Sequence, residues 1–343
     1  MPSVPAPAKV LVTGANGFLG AWIVRTLLEH GYSVRGTVRT ADKGETIRGS
    51  LGERGDRFEY VVVEDVLKEG AFDDAMEGVR LLMHTLSPLL WTDKPDDIIQ
   101  PAVTGTLSLL QSAQKHREAV RRVVVTGSIC TIIDWPTVEP RVYDETSVNE
   151  TSIKAVEDGS TDPIAIYSAA KTQAENRAWA FMREQNITEF DLVCLHGSFF
   201  VGPNSYPLPS PASFTESLYT MHSIVTRGHL VNALVKTGCG WIDVRDIALA
   251  HVLAAQKDEA GGQRIIVSAG DCVVGDFHRV ACSLDPSLVR ETQDVLSKPR
   301  YRFDTSKMRK VLGLVPRSLE ETIRDTLDFL RTVPGSGVTW TSY

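Results

Sequence analysis

The sequence predicts an α/β fold: a doubly wound parallel sheet followed by a smaller, mostly helical lobe over the carboxyl ends of the strands. Three observations carry that expectation. Short apolar runs alternate with stretches of helical periodicity over about the first 195 residues. A glycine-rich turn, Gly14-x-x-Gly17-x-x-Gly20, separates the first apolar run from the first helical stretch. At Val201 the texture changes, and Gly202 to Pro211 is a loop rich in Pro and Ser.

The elements follow in order. Lys9 to Thr13 is a short apolar run of the kind buried on both faces of a parallel sheet. After the glycine turn, Phe18 to His30 places Leu19, Ile23 and Leu27 at helical spacing and stops at Gly31, a residue suited to follow a helix end. Tyr32 to Val38, Phe58 to Val63 and Arg80 to Thr85 read as the next strands. Asp97 to His116 is a long helix, Arg122 to Thr126 a fifth strand, Ala165 to Gln185 another long helix and Phe190 to Leu195 a sixth strand. Residues 1–200 are thus expected to form a Rossmann-type domain, which regains about residues 238–257, and the rest of 201–343 the lobe.

The chain of 343 residues is long enough for a large core, and its 43% hydrophobic and 23% charged residues are ordinary for a globular protein. A formal charge of −7 without any Lys/Arg-rich tract disfavours a nucleic-acid or anionic-membrane partner. The five cysteines (Cys130, Cys194, Cys239, Cys272, Cys282) are odd in number and scattered, with no Cys-x-x-Cys pair. They read as buried free thiols of a reducing compartment, so a cytoplasmic protein is expected. Met1 to Pro7 reads as a short flexible lead rather than a signal peptide, and no apolar run reaches the length of a membrane span. His222, His229 and His251 lack metal-ligand spacing, so no metal is expected.

Gly14, Gly17 and Gly20 stand where a dinucleotide site needs them, because glycine permits a tight turn and close approach of the pyrophosphate to a helix N-terminus. No carboxylate ends the second strand; Arg39 does, with Lys43 one turn on, a pattern suited to a ribose 2′-phosphate and hence to NADP(H). Asp65 is placed to accept from the adenine amino group, with Val66 against the ring. Ser128 ends the fifth strand, where its hydroxyl enters the ligand crevice. Tyr167 and Lys171 are four apart on a predicted helix and share one face. A lysine there favours tyrosinate, making Tyr167 a proton donor usable near neutral pH. Taken alone, Tyr-x-x-x-Lys is weak, and its company carries the reading.

With these motifs the chain resembles the extended short-chain dehydrogenase/reductases. Within them it resembles the fungal aldehyde/ketone and methylglyoxal reductases and the plant dihydroflavonol and cinnamoyl-CoA reductases. The resemblance runs from about Lys9 to Leu330 and includes His84-Thr85-Leu86-Ser87-Pro88, Pro101-Ala102-Val103-x-Gly105-Thr106, Asp243 to His251, and Phe303 to Lys307 with Leu312-Gly313. It implies a catalytic triad of Ser128, Tyr167 and Lys171: the tyrosine as general acid, the lysine lowering its pKa and holding the nicotinamide ribose, the serine orienting a carbonyl. The expected cofactor contacts are Gly14, Asn16, Gly17, Phe18, Leu19, Gly20, Arg39, Lys43, Asp65, Val66, Thr85, Tyr167, Lys171, Gly197, Ser198, Phe200 and Ser217. Leu89, Trp91, Ile129, Phe200 and Tyr206 are expected pocket walls, implying a bulky or hydrophobic carbonyl substrate. The reading is then an NADPH-dependent carbonyl reductase, monomeric or homodimeric and reversible as an alcohol dehydrogenase. Alternatives are a dihydroflavonol/cinnamoyl-CoA-type reductase, a sugar-nucleotide epimerase or dehydratase, and a non-catalytic NADP-binding regulatory protein. The chain departs from the family pattern twice. Gly127 stands where a serine is common, and His196-Gly197 where a proline usually follows the sixth strand. Gly197 is expected to loosen the nicotinamide wall. His196 is expected either to pack or to adjust pocket polarity.

Overall fold

A computed structural model describes residues 3–87, 92–135, 140–227, 237–288 and 297–338. The chain begins β1 (Lys9–Thr13), α1 (Phe18–Glu29), β2 (Ser33–Val38), α2 (Ala41–Ser50), β3 (Phe58–Val62), β4 (Val79–His84), α3 (Asp96–Lys115) and β5 (Arg122–Ser128). It continues with β6 (Arg141–Tyr143), α4 (Glu150–Glu157), α5 (Pro163–Glu184), β7 (Asp191–Gly197), β8 (Phe199–Val201) and α6 (Glu216–Arg227). It ends with β9 (Cys239–Asp243), α7 (Val244–Gln256), β10 (Arg264–Val267), β11 (Gly270–Cys272), α8 (Val274–Leu284), β12 (Tyr301–Phe303) and α9 (Leu319–Thr332).

The central sheet has the order β10-β7-β5-β4-β1-β2-β3, and every neighbouring pair is parallel. The winding direction reverses between β1 and β4, so a crevice opens outside the carboxyl ends of those two strands. This is the expected Rossmann-type α/β sheet. Successive residues of a strand face opposite sides, and β1 divides accordingly. Val10 and Val12 join Ile23, Leu27, Ile247 and Val252 on one face, whereas Leu11 joins Leu82, Val123, Leu109 and Phe181 on the other.

The sequence reading runs from β2 to β3 without the intervening α2. Only Gly44 and Ile47 of that helix are buried, too narrow a stripe to stand out as periodicity. The lead is also better held than its composition suggests. Val4 is buried, its N–H donates to Ala255 O at 2.7 Å, and its carbonyl accepts from the Tyr32 hydroxyl at 2.7 Å.

Beyond Val201, α6, α8 and α9 enclose a third apolar cluster around Leu218, Met221, Phe277 and Leu327. The lobe also holds a three-stranded sheet, β11-β9-β8, and β12 pairs with β6. Two later segments return to the large sheet: β10 extends its edge beside β7, and α7 joins the α1 face. Among the described residues no helix is long and apolar enough to cross a membrane.

Candidate active site

A cavity of about 1430 Å³ opens at the β1/β4 switch and runs from the glycine turn to the lobe. One wall is Gly14, Asn16, Gly17, Phe18, Leu19 and Gly20, and the next carries Arg39, Lys43, Asp65, Val66 and Thr85. Ser128, Ile129, Tyr167 and Lys171 form its middle, with Gly197, Ser198, Phe200 and Ser217 opposite. The fold therefore collects almost every expected site residue in one place. Tyr206 is the correction. It is not among the lining residues, and its hydroxyl instead donates to Asn16 O at 3.1 Å, bracing the glycine turn from outside. Leu89 and Trp91 lie outside the described residues.

The glycine end fits a dinucleotide. Gly14 sits at φ 69°, a conformation costly for other residues. A Cβ on Gly20 would fall 2.2 Å from Gly14 O, so helix and turn pack at backbone contact. Gly17, at the start of α1, makes no side-chain cap bond, leaving N–H groups of the first turn for an anion. Arg39 and Lys43 are exposed, face the cavity and make no ion pair among the described residues. Asp65 Oδ1 accepts from Leu67 N at 2.9 Å, which orients the carboxylate. Thr85 donates to Thr13 O at 2.7 Å and ties β4 to β1 beside the turn.

The chemical centre is where β5 meets α5. Asp162 caps α5 by accepting from Ile164 N at 3.0 Å, and Pro163 follows at the first position. Tyr167 and Lys171 then lie one turn apart. Tyr167 is hydrogen-bonded to Ser128, and Ser128 Oγ accepts from Cys130 N at 3.2 Å. Lys171 Nζ donates to Thr126 O at 3.2 Å and reaches Ser87 Oγ at 3.5 Å. Here an expectation needs correcting. Burial is the largest influence on Tyr167 and pushes its pKa above the ordinary value, with the Ser128 bond opposing it. Burial likewise lowers Lys171. Desolvation is the largest influence on both groups. Tyr167 is thus held as a phenol through neutral pH.

Two buried histidines brace this centre. His84 Nδ1 stands 2.9 Å from Thr13 Oγ1, and burial followed by the Lys171 charge pulls its pKa down to about 3. His251 Nδ1 is 2.7 Å from Ile247 O and so carries its proton, leaving Nε2 to accept from Thr126 Oγ1 at 2.8 Å. Burial pulls His251 down to about 4.

The two family departures are also visible. Gly197 does not leave a loose wall, because a Cβ there would lie 2.4 Å from the Phe200 ring, which fills the space. His196 is fully buried and is not among the residues lining the cavity. The sequence reading missed Cys130, Ile133, Trp135, Ile164, Thr220 and Tyr301 as lining residues. Cys130, Ile133 and Trp135 follow β5, so their place after a strand end was available as a signal. Tyr301 arrives only through the pairing of β12 with β6, and no local pattern marks it.

A family profile described as "NAD dependent epimerase/dehydratase family" matches residues 10–270. The ketoreductase azaE of Aspergillus niger is 36% identical over 93% of this chain and 96% of its own length. The NADPH-dependent methylglyoxal reductase GRE2 of Saccharomyces cerevisiae is 31% identical over 93% and 96%. The solved structure of the yeast methylglyoxal/isovaleraldehyde reductase Gre2 complexed with NADPH superposes with a TM-score of 0.82 at 29% identity, covering 94% of this chain and 98% of that one. Motifs, sheet order and near end-to-end similarity agree: this chain belongs to the NAD dependent epimerase/dehydratase family, among its extended short-chain dehydrogenases/reductases.

Proposed function

We propose that the protein is an NADPH-dependent oxidoreductase that reduces aldehydes and ketones to alcohols, with Tyr167 as proton donor. The observation that carries this reading is the convergence of Ser128, Tyr167 and Lys171 in one cavity with the glycine turn and the Arg39/Lys43 pair. Relatives named as ketoreductase and NADPH-dependent methylglyoxal reductase support it. Arg39 and Lys43 would hold the 2′-phosphate, and the first turn of α1 the pyrophosphate. The bound cofactor supplies the hydride. Ser128 orients the carbonyl oxygen, and Tyr167, kept protonated by burial, delivers the proton. Lys171, fixed by Thr126 O, places a positive charge beside the oxygen that becomes negative. In the reverse direction Tyr167 must act as a base. Its raised pKa makes alcohol oxidation increase with pH, while reduction persists through neutrality. Ile129, Ile133, Trp135 and Phe200 give the substrate end an apolar lining suited to a bulky or hydrophobic carbonyl compound.

The test is NADPH oxidation by purified protein over a panel of aldehydes and ketones, with chiral analysis of the alcohols. Turnover is expected on apolar carbonyls. NADPH binding without turnover on any of them would overturn the reductase reading and leave a non-catalytic NADP-binding protein.

A further inference from the structure

His196 and Gly127 are register partners on β7 and β5, next to the pair Gly197 and Ser128. A Cβ on Gly127 would stand 2.9 Å from His196 Nδ1 and 3.1 Å from its Cε1. The imidazole therefore fills the space a side chain at 127 would take. Its Nδ1 lies 2.9 Å from Thr131 Oγ1 and 3.3 Å from Ser128 O. Thr131 Oγ1 already donates to Ser128 O at 2.9 Å. Both neighbours of Nδ1 are thus acceptors, and Nδ1 carries a proton.

On the other side, Nε2 stands 3.2 Å from Glu175 Oε1, at an angle outside hydrogen-bond geometry. Glu175 continues the series Tyr167, Lys171, Glu175 on α5, each one turn further along. Burial alone would raise its carboxyl, but His196 and Arg264 hold it well below the usual carboxylate range. Arg264, on β10, donates to Glu175 Oε1 at 2.8 Å and to the carbonyls of Glu145 and Ser147 at 2.6 and 2.8 Å.

We propose that His196 is a positioning residue whose Nδ1–H holds the Ser128 carbonyl and the Thr131 hydroxyl at the end of β5 while its ring packs against Glu175 on α5, so that the Ser128 and Tyr167 hydroxyls stay in register, and that Gly127 is what admits it. The inference rests on the reductase reading of the site. It adds the device that sets the distance between the strand carrying the serine and the helix carrying the tyrosine and lysine.

The test combines kinetics on an aldehyde the unmodified protein reduces, NADPH titration, and thermal melts. His196→Leu removes the Nδ1 hydrogen bonds and is expected to lower kcat about 10- to 100-fold, as small misplacements of reacting groups do. NADPH affinity should fall much less than kcat, since the glycine turn, Arg39 and Lys43 lie at the other end of the cavity and are untouched. His196→Asn keeps an N–H where Nδ1 stands but not the ring against Glu175, and should recover part of kcat. Gly127→Ser should lower the melting temperature in the unmodified background and far less in His196→Ala, where the space is free. A kcat unchanged in His196→Leu, no recovery in His196→Asn, or equal cost of Gly127→Ser in both backgrounds overturns the inference alone. Absence of turnover by the unmodified protein overturns it together with the reductase reading.

Discussion

The two ends of β5 are built for different purposes. At the amino end Arg122 is fully buried and saturated. Its Nε and Nη2 donate to Asp191 at 2.7 and 2.8 Å, and Nη1 donates to the carbonyls of Ala254 and Lys257, both at 2.6 Å. The arginine clamps β5, β7 and the end of α7 together and does not line the site cavity. Six residues later the same strand ends in Ser128, beside Tyr167 and Lys171, and its hydroxyl lines the cavity. The lesson is that at one end a buried charge is spent on contacts within the fold, while at the other polar side chains face an open cavity.

The sharpest way to break this comparison is to exchange the consequences of mutating each end. Tyr167→Phe should lower kcat for carbonyl reduction by about 10²- to 10⁴-fold. Its NADPH affinity and urea midpoint should not move. A lost fold instead of lost turnover would make Tyr167 structural. Arg122→Ala strands the Asp191 carboxylate and should cost about 3–5 kcal/mol in urea unfolding. Turnover per folded molecule should be retained. A catalytic defect in fully folded Arg122→Ala would show that the two ends are coupled.

Acid sharpens the comparison from another side. His84 and His251 have native pKa values of about 3 and 4, below the 6.5 of the free side chain. Above pH 6.5 both states are neutral and nothing is gained or lost. Below it the unfolded chain binds protons that the native chain refuses, so stability falls until the native values are reached. Between pH 7 and 5 the pair should cost a few kcal/mol, at about 1.4 kcal/mol per tenfold difference in proton affinity. Urea midpoints at the two pH values measure it, and His251→Asn should flatten the slope. The smallest expected effect is at the cavity's far end. Arg39→Asp should raise the KM for NADPH about 10- to 100-fold, as loss of a charge-assisted bond does, and leave NADH nearly unaffected. Equal losses for both cofactors would remove Arg39 from phosphate recognition.

Six of the seven strands of the central sheet were legible because they and most flanking helices carry their own period, whereas β10, beyond the expected return at about 238–257, was not read. Lys9 to Thr13 and the Leu19, Ile23, Leu27 series need no distant partner to be recognised. The motifs were legible for the same reason: three glycines, Arg39 and the Tyr167/Lys171 pair sit at fixed local spacing. Helix α2 was not, since its burial rests on two residues. Tyr206 looked like a pocket wall from its place in a loop, yet the fold turns its hydroxyl to Asn16 O.

The sequence by itself determined the parallel α/β sheet, the dinucleotide turn and the spacing of the proposed catalytic residues, because these depend on neighbours within a turn or a strand. Tertiary structure alone decided what surrounds them. It set the burial that raises Tyr167 rather than lowering it, and brought Tyr301 to the cavity through β12. It also joined Gly127 and His196, two separate oddities in the chain, at one point of contact between β5 and β7. Desolvation and side-chain volume are set by residues far apart in sequence, so they take effect only once the chain has folded back on itself.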